Sequence, residues 1–236
     1  MIEIEVVYTP HWFFGEELFI SLFSLATLAL IAFFSMRYYR LSKNNKNYLY
    51  LSYSFFVLAL SFIFRIVMNF TVLFETTTVR QVGLLTMSYE TVHVSNVLYI
   101  IGFFVYRLLA LSGLYMLYSL AAKQRRSSVH ILVTLLLIIS TYFSQDSYYV
   151  FHFTSLVILG LISYHYYHLY QETKHANTRL LFLGFVIIAL SQLLFMVVPF
   201  RQFLYIVADG IQLAGYCLLF VALLRIVYHG KKKKQD

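Results

Sequence analysis

Apolar residues occur in seven long runs that are separated by short polar segments. A helix needs about 20 consecutive apolar residues to cross the roughly 30 Å of hydrocarbon in a bilayer. Seven such runs and their loops take up almost the whole chain of 236 residues. The pattern therefore predicts an all-α integral membrane protein with a seven-transmembrane-helix bundle. The expected helices lie at about residues 18–36, 48–70, 92–120, 129–143, 149–170, 180–198 and 203–228.

The fourth run is the shortest of the seven. Residues 128–143 would span about 24 Å at 1.5 Å per residue. We therefore expect local thinning of the bilayer, or extension of this helix into Ser144 and Gln145. Runs four and five could instead form one re-entrant pair. We favour two helices, because the polar segment 144–147 (Ser-Gln-Asp-Ser) contains turn-forming residues.

Basic residues are concentrated in alternate loops. Thirteen Lys and Arg residues fall in loops one, three and five and in the C-terminal tail, whereas the opposite side carries only Arg80 and Arg201 and most of the acidic residues. Short loops rich in Lys and Arg remain in the cytoplasm. The distribution predicts an extracellular segment at residues 1–17, a transmembrane domain at 18–228 and a basic cytoplasmic tail at 229–236. The expected location is the cell membrane, with the N-terminus outside and the C-terminus inside.

Composition excludes a soluble fold, because 61% of the residues are hydrophobic and only 12% are charged. Soluble domains carry about 25% charged residues. The net charge of +8 would suit nucleic acid, but most of the positive charges lie at positions that set topology, so we expect no nucleic-acid partner. The single cysteine, Cys217, excludes a disulfide or a thiolate metal cluster within one chain.

Three ionisable residues inside the predicted spans stand out by their depth: Arg65, Arg107 and Asp209. Charged groups in the bilayer are costly and often mark functional sites. Arg107 lies near the middle of the third helix, whereas Arg65 and Asp209 lie at similar depths, within about 10 Å of the outer surface, which permits an ion pair. Uncharged polar residues expected near that depth are Asn69, Asn96, His152, Gln192 and Gln212.

These residues allow two interpretations. In the first, Arg65, Arg107, Gln192 and Asp209 surround a ligand-binding pocket in the outer half of the bundle, with Asn96, His152 and Gln212 contributing to it. In the second, Arg65 extends to the lipid headgroups and Asp209 pairs with Arg107. The amides then link helices by hydrogen bonds of about 0.6 to 2 kcal/mol each.

Other chemistry has little support in the sequence. The eight histidines are divided between the two sides without a carboxylate that completes a ligand set, so we expect no metal and no cofactor. No Gly-x-Ser-x-Gly or His-Glu-x-x-His motif occurs, which favours a non-enzymatic role. The tail residues could bind anionic lipid headgroups at the cytoplasmic face, or act only as a stop-transfer flank. They are Lys231, Lys232, Lys233 and Lys234.

Residues 207–216 (Val-Ala-Asp-Gly-Ile-Gln-Leu-Ala-Gly-Tyr) resemble the seventh helix of microbial rhodopsins, in which an aspartate precedes the retinal lysine by four residues. Here Asp209 matches the aspartate and Leu213 stands at the lysine position. All eight lysines are expected in loops or in the tail, which excludes covalent retinal. The layout is also similar to G-protein-coupled receptors and to the seven-helix input domains of bacterial sensor kinases. The receptors' Asp-Arg-Tyr and Asn-Pro-x-x-Tyr motifs are absent, and no family is assigned.

Three functions remain open from the sequence. The leading one is a sensor or receptor with an outer polar pocket, which signals through a separate cytoplasmic protein partner because its own loops are short. The second is a structural or accessory subunit of a membrane complex. The third is a small transporter or a lipid-modifying enzyme, and a transporter of that kind would have helices interrupted at mid-membrane.

Overall fold

The computed structural model describes residues 16–41, 45–73, 79–82, 85–88, 93–122, 127–144 and 147–232. Within these ranges only the backbone is described at residues 16, 69–73, 79–82, 85–88, 93–99, 127–128 and 227–232. The described part contains seven α-helices and one β-hairpin. The elements are α1 (Glu16–Leu41), α2 (Lys46–Leu73), β1 (Val79–Val82), β2 (Leu85–Ser88), α3 (His93–Ala121), α4 (Ser127–Phe143), α5 (Tyr148–Thr173), α6 (Ala176–Val197) and α7 (Phe203–Lys232), with a 3₁₀ turn at Val198–Phe200 before α7.

Five helices, α1, α2, α3, α6 and α7, are long and apolar enough to cross a membrane. Their outward faces carry large apolar side chains such as Phe19, Phe23 and Phe33, which are well exposed on α1. Soluble proteins rarely expose apolar surface of this extent. The chain is therefore a multi-pass membrane protein. The helix α4 has 17 residues, and its length of about 26 Å is shorter than the roughly 30 Å of hydrocarbon in a bilayer. The helix α5 has 26 residues, which include the polar residues His152, His165 and His168.

Six helices form a closed ring in the order α1, α2, α3, α5, α6, α7 and back to α1. The helix α4 lies outside this ring and packs against α3 and α5. One face of α4 is exposed along its length, at Ile131, Leu132, Leu135 and Leu136. The interior of the protein is therefore enclosed by six helices, and α4 supports the ring from one side.

Close packing between α6 and α7 depends on two glycines. A Cβ atom at Gly215 would lie 2.5 Å from Cγ1 of Ile188 and 3.2 Å from the backbone oxygen of Gly184. A Cβ atom at Gly184 would lie 2.6 Å from a methyl carbon of Leu219. Small residues at helix interfaces let two backbones approach closely, and van der Waals packing then stabilises the helix pair.

The helices extend beyond their predicted bounds at most ends, and the largest differences are at the C-terminal end of α1 (Leu41 against 36), the N-terminal end of α6 (Ala176 against 180) and the C-terminal end of α7 (Lys232 against 228). The helix α1 begins at Glu16, two residues before the predicted start at residue 18, so Glu17 is helical. The helix α2 begins at Lys46 and α7 continues to Lys232, so Lys46, Lys231 and Lys232 are helical. The antiparallel hairpin between α2 and α3 pairs Val79 with Ser88 and was not predicted.

Candidate functional site

A buried ion cluster lies at one end of the ring, where α1, α2 and α7 meet. It consists of Glu17, Arg65, Tyr205 and Asp209. The guanidinium Nη2 of Arg65 lies 2.9 Å from both carboxylate oxygens of Asp209, 3.0 Å from Glu17 Oε1 and 2.9 Å from the Tyr205 hydroxyl oxygen, so its two hydrogens are shared among these acceptors. The Tyr205 hydroxyl in turn donates to Glu17 Oε1. One nitrogen therefore joins the first, second and last helices of the bundle.

The positions of these residues along their helices explain why they meet. Glu17 is the second residue of α1, and Tyr205 and Asp209 lie four residues apart near the start of α7, which places them on one face of that helix. Arg65 lies eight residues before the end of α2. All four are buried, with 5% of Arg65 and 1% of Asp209 exposed. The ion pair between Arg65 and Asp209 that their similar depths permit is present, so this arginine is bound to a carboxylate of α7 and not extended away from the bundle.

Arg107 is the central residue of α3 and lies in an aromatic environment. Its guanidinium carbon is 3.6 Å from the ring centroid of Phe103, 5.1 Å from that of Phe151 and 5.8 Å from that of Tyr148. It also donates a hydrogen bond to the backbone oxygen of Ser144 at the end of α4. Cation–π contacts and a carbonyl acceptor together stabilise a buried guanidinium. The end of α4 therefore lies beside the middle of α3.

A chain of aromatic contacts connects Arg107 to the ion cluster. Phe151 contacts Arg107 and lies against His152 with ring centroids 5.0 Å apart. His152 stacks on Phe195 at 4.8 Å, and Phe195 meets Tyr205 edge to face at 5.5 Å. The predicted site residues on α3 and α5 therefore reach the ion cluster through side chains that are in direct contact.

Gln192 and Gln212 face the interior of the ring. Nδ1 of His152 and Oε1 of Gln192 lie 2.8 Å apart, which links α5 to α6 by a hydrogen bond. Gln212 Nε2 donates to the Tyr216 hydroxyl oxygen at 3.0 Å. The ring of Tyr216 packs edge to face on Phe62 at 5.9 Å, and Phe62 lies 5.6 Å from the Arg65 guanidinium. The structure thus places six of the seven predicted ligand residues in one network of contacts.

The other predicted site residues fall where the structure gives no side chains. The structure describes only the backbone of Asn69, Asn96, Lys231 and Lys232. Lys233 and Lys234 lie outside the described residues. Within the part of the chain that is described, no group of three or more His, Cys, Asp and Glu residues is arranged to hold a metal ion.

Sequence reasoning missed Glu17, Tyr148 and Tyr205. The sequence prediction places Glu17 in the extracellular segment. An acidic residue in the first turn of an apolar helix is nevertheless a pattern that marks a candidate site residue. The tyrosines gave no such signal, because Tyr is common at both ends of membrane helices.

Comparison of the chain with protein-family models, with curated proteins and with solved structures finds no match.

Proposed function

We propose that this multi-pass membrane protein is a sensor or receptor that receives its signal at the ion cluster and the ring interior. The observation that supports the proposal best is the bonding of Arg65. A single buried guanidinium nitrogen is shared by carboxylates from α1 and α7 in a bundle of apolar helices. Ionised groups inside a membrane are costly and are usually found where a protein has a functional need for them.

Stability alone is a weak explanation for the ion cluster. Replacement of a buried ion pair by well-packed apolar residues is often neutral, or stabilising by about 1–4 kcal/mol, because the desolvation cost offsets the attraction between the charges. The helices of this ring already bury apolar side chains such as Leu28, Leu111 and Leu159 against one another. A role in a conformational change therefore explains the two carboxylates and the arginine at this position better than a contribution to stability does.

The cluster could transmit a signal because its members belong to three helices. A ligand that binds one carboxylate, or competes for Arg65, would weaken the connection between α2 and either α1 or α7. A ligand shifts such an equilibrium only if it prefers one arrangement of the helices. One cavity inside the ring that is lined by described residues is about 30 Å³. In the proposed mechanism the described arrangement is the closed one, and ligand binding would favour a more open ring.

The proposed orientation follows from the charge distribution. With the N-terminus outside, the ion cluster lies in the outer half of the bundle and the loops rich in Lys and Arg face the cytoplasm. Those loops and the lysine-rich tail would contact anionic lipids and a separate protein partner. Signals would then pass from the outer cluster along the ring to the cytoplasmic side.

An accessory subunit of a membrane complex is the second candidate, and the position of α4 favours it. This helix lies outside the ring, and its exposed face carries Ile131, 70% of which is exposed, together with Leu135. A helix of another protein could cover that face. A transporter with interrupted helices has less support, because α3, α6 and α7 are each continuous over more than 20 residues.

The proposal is tested by purification of the full-length chain in mild detergent, followed by mass spectrometry of everything that remains bound. The variant Asp209→Asn is compared with Arg201→Gln, a control that removes an exposed charge from the segment just before α7. We expect the wild type and Arg201→Gln to retain a small molecule that Asp209→Asn loses. Retention of the same molecules by Asp209→Asn would contradict the receptor role.

A second variant covers the possibility that Asp209→Asn does not fold. Gln192→Leu removes a polar group from the ring interior without leaving a charge unpaired. A receptor pocket predicts that this variant also loses the bound molecule. If Gln192→Leu retains every bound molecule, the receptor role is refuted. A partner chain that crosslinks to α4 in all variants would then support the accessory role.

A further inference from the structure

The interior of the ring contains a small cavity of about 30 Å³. Its walls come from α2, α3, α5, α6 and α7, and many of its lining side chains are polar. Polar lining residues include Ser61, Ser155, Gln192 and Gln212. A cavity needs roughly 10–15 Å³ to hold one water molecule. The space is therefore sufficient for one or two water molecules.

Ser155 on α5 provides the second observation. Only 2% of this residue is exposed, and its hydroxyl has no hydrogen-bond partner among the described residues. Ser61, which also lines the cavity, donates instead to the backbone oxygen of Leu58 at 2.7 Å. A buried hydroxyl without a partner costs about 1–3 kcal/mol, and proteins commonly satisfy such groups with internal water.

We propose that this cavity is an internal water-binding site with the Ser155 hydroxyl as its anchor. Water molecules there bridge Ser155 on α5 to the amide groups of Gln192 on α6 and Gln212 on α7. Each glutamine amide offers both a carbonyl acceptor and N–H donors, so a bridging water finds the two to four partners that it needs. The site does not depend on the receptor role proposed above.

The lining determines that the occupant is water. The residues that line the cavity, all of which are described, include no Asp, Glu, Lys or Arg. An ion there would lose its hydration without a counter-charge, which costs several kcal/mol. Organic ligands occupy pockets of about 300–1,000 Å³, far larger than this one. An apolar atom would leave the Ser155 hydroxyl unpaired.

Hydroxyl-radical footprinting by X-ray radiolysis tests the site, because water bound beside a buried side chain generates radicals there. The full-length protein in lipid nanodiscs is irradiated, and oxidation of each residue is measured by mass spectrometry. Phe151 lines the cavity and Phe55 does not, and each is 4% exposed. We expect several-fold faster oxidation of Phe151 than of Phe55. Equal rates would overturn the proposal.

Two serine variants provide a matched comparison. Ser155→Val fills the cavity and removes its anchor, whereas Ser163→Val changes a buried serine on the same helix that also lacks a hydrogen-bond partner among the described residues but does not line the cavity. We expect Ser155→Val to reduce oxidation of Phe151 to the rate of Phe55, and Ser163→Val to leave it unchanged. Undiminished labelling in Ser155→Val would refute the site.

A third measurement needs no variant, and it decides the question if Ser155→Val does not fold. The wild type is mixed rapidly with water enriched in oxygen-18 and irradiated after increasing delays. Oxygen incorporated at Phe151 should change to the heavy isotope with a delay relative to exposed residues, because internal water exchanges through the bundle. The absence of oxidation at Phe151 at every delay would also overturn the proposal.

Discussion

Replacement of Arg65 by methionine should destabilise the bundle strongly. The Nη2 atom of Arg65 lies within 3.0 Å of oxygens from both Glu17 and Asp209. At that distance one pair attracts by about 5 kcal/mol for an effective dielectric constant of about 20. Desolvation cancels part of this attraction in the wild type. Removal of one partner from a buried pair still costs about 3–5 kcal/mol, because the remaining charge has lost its compensation.

The upper part of that range is expected for Arg65→Met, because two carboxylates then remain buried side by side. Asp209→Asn should cost less, about 1–3 kcal/mol, since Glu17 still compensates Arg65. The double variant Arg65→Met/Asp209→Asn removes one of the two buried anions. The destabilisation of the double variant should therefore be about 1–3 kcal/mol smaller than the sum of the two single-variant effects.

The free energy of unfolding can be measured by SDS titration in mixed micelles. Near-ultraviolet circular dichroism reports tertiary structure through the 21 tyrosines of the chain. Arg201→Met serves as the control, because Arg201 is exposed, and its effect should stay within about 0.5 kcal/mol. A loss below about 1 kcal/mol in Arg65→Met would show that the cluster behaves like a surface ion pair, and strict additivity in the double variant would refute the coupling.

Two further predictions concern the helix packing and the tail. Gly215→Ala should destabilise the protein by about 1–3 kcal/mol, because its Cβ would overlap Ile188. The control Gly210→Ala has nothing within 4 Å of the new atom and should be neutral or up to about 1 kcal/mol stabilising; equal effects in the same SDS titration would contradict this packing. Replacement of residues 231–234 by glutamine should lower the amount of anionic lipid that co-purifies, since each basic residue near a membrane contributes about 1 kcal/mol. If the lipid content measured by mass spectrometry is unchanged, the role of these lysines is limited to setting the topology of the chain.

Helix positions could be predicted from the sequence because the apolar runs are long and their polar breaks are distinct. The burial of Arg65 and Asp209 at similar depths was also predictable, since depth follows from the position along a helix. The order of helices around the ring was not. Short loops restrict which helix ends are close, but they do not determine that α4 lies outside and that α3 meets α5. The contribution of Glu17 depends on the contact between α1 and α7, which the sequence does not specify.

The environment of Arg107 shows a second reason for incomplete prediction. Its burial and its need for partners were expected, but one partner is the backbone oxygen of Ser144. Every residue has such an oxygen, so no side-chain pattern marks it. The rings of Phe103 and Tyr148 also compensate the charge, and these residue types are common throughout the chain. The contact with Ser144 depends on α4 ending beside the middle of α3.

The ion cluster also has a consequence for how the chain is made. Its carboxylates come from the first and last helices, and its arginine from the second. Synthesis proceeds from the N-terminus, so Glu17 and Arg65 enter the bilayer long before Asp209 has been translated. A nascent or truncated chain that ends before α7 therefore lacks the bidentate partner of its arginine. The cluster is therefore complete only after α7 has been inserted, so a chain that contains α7 differs chemically from one that ends before it.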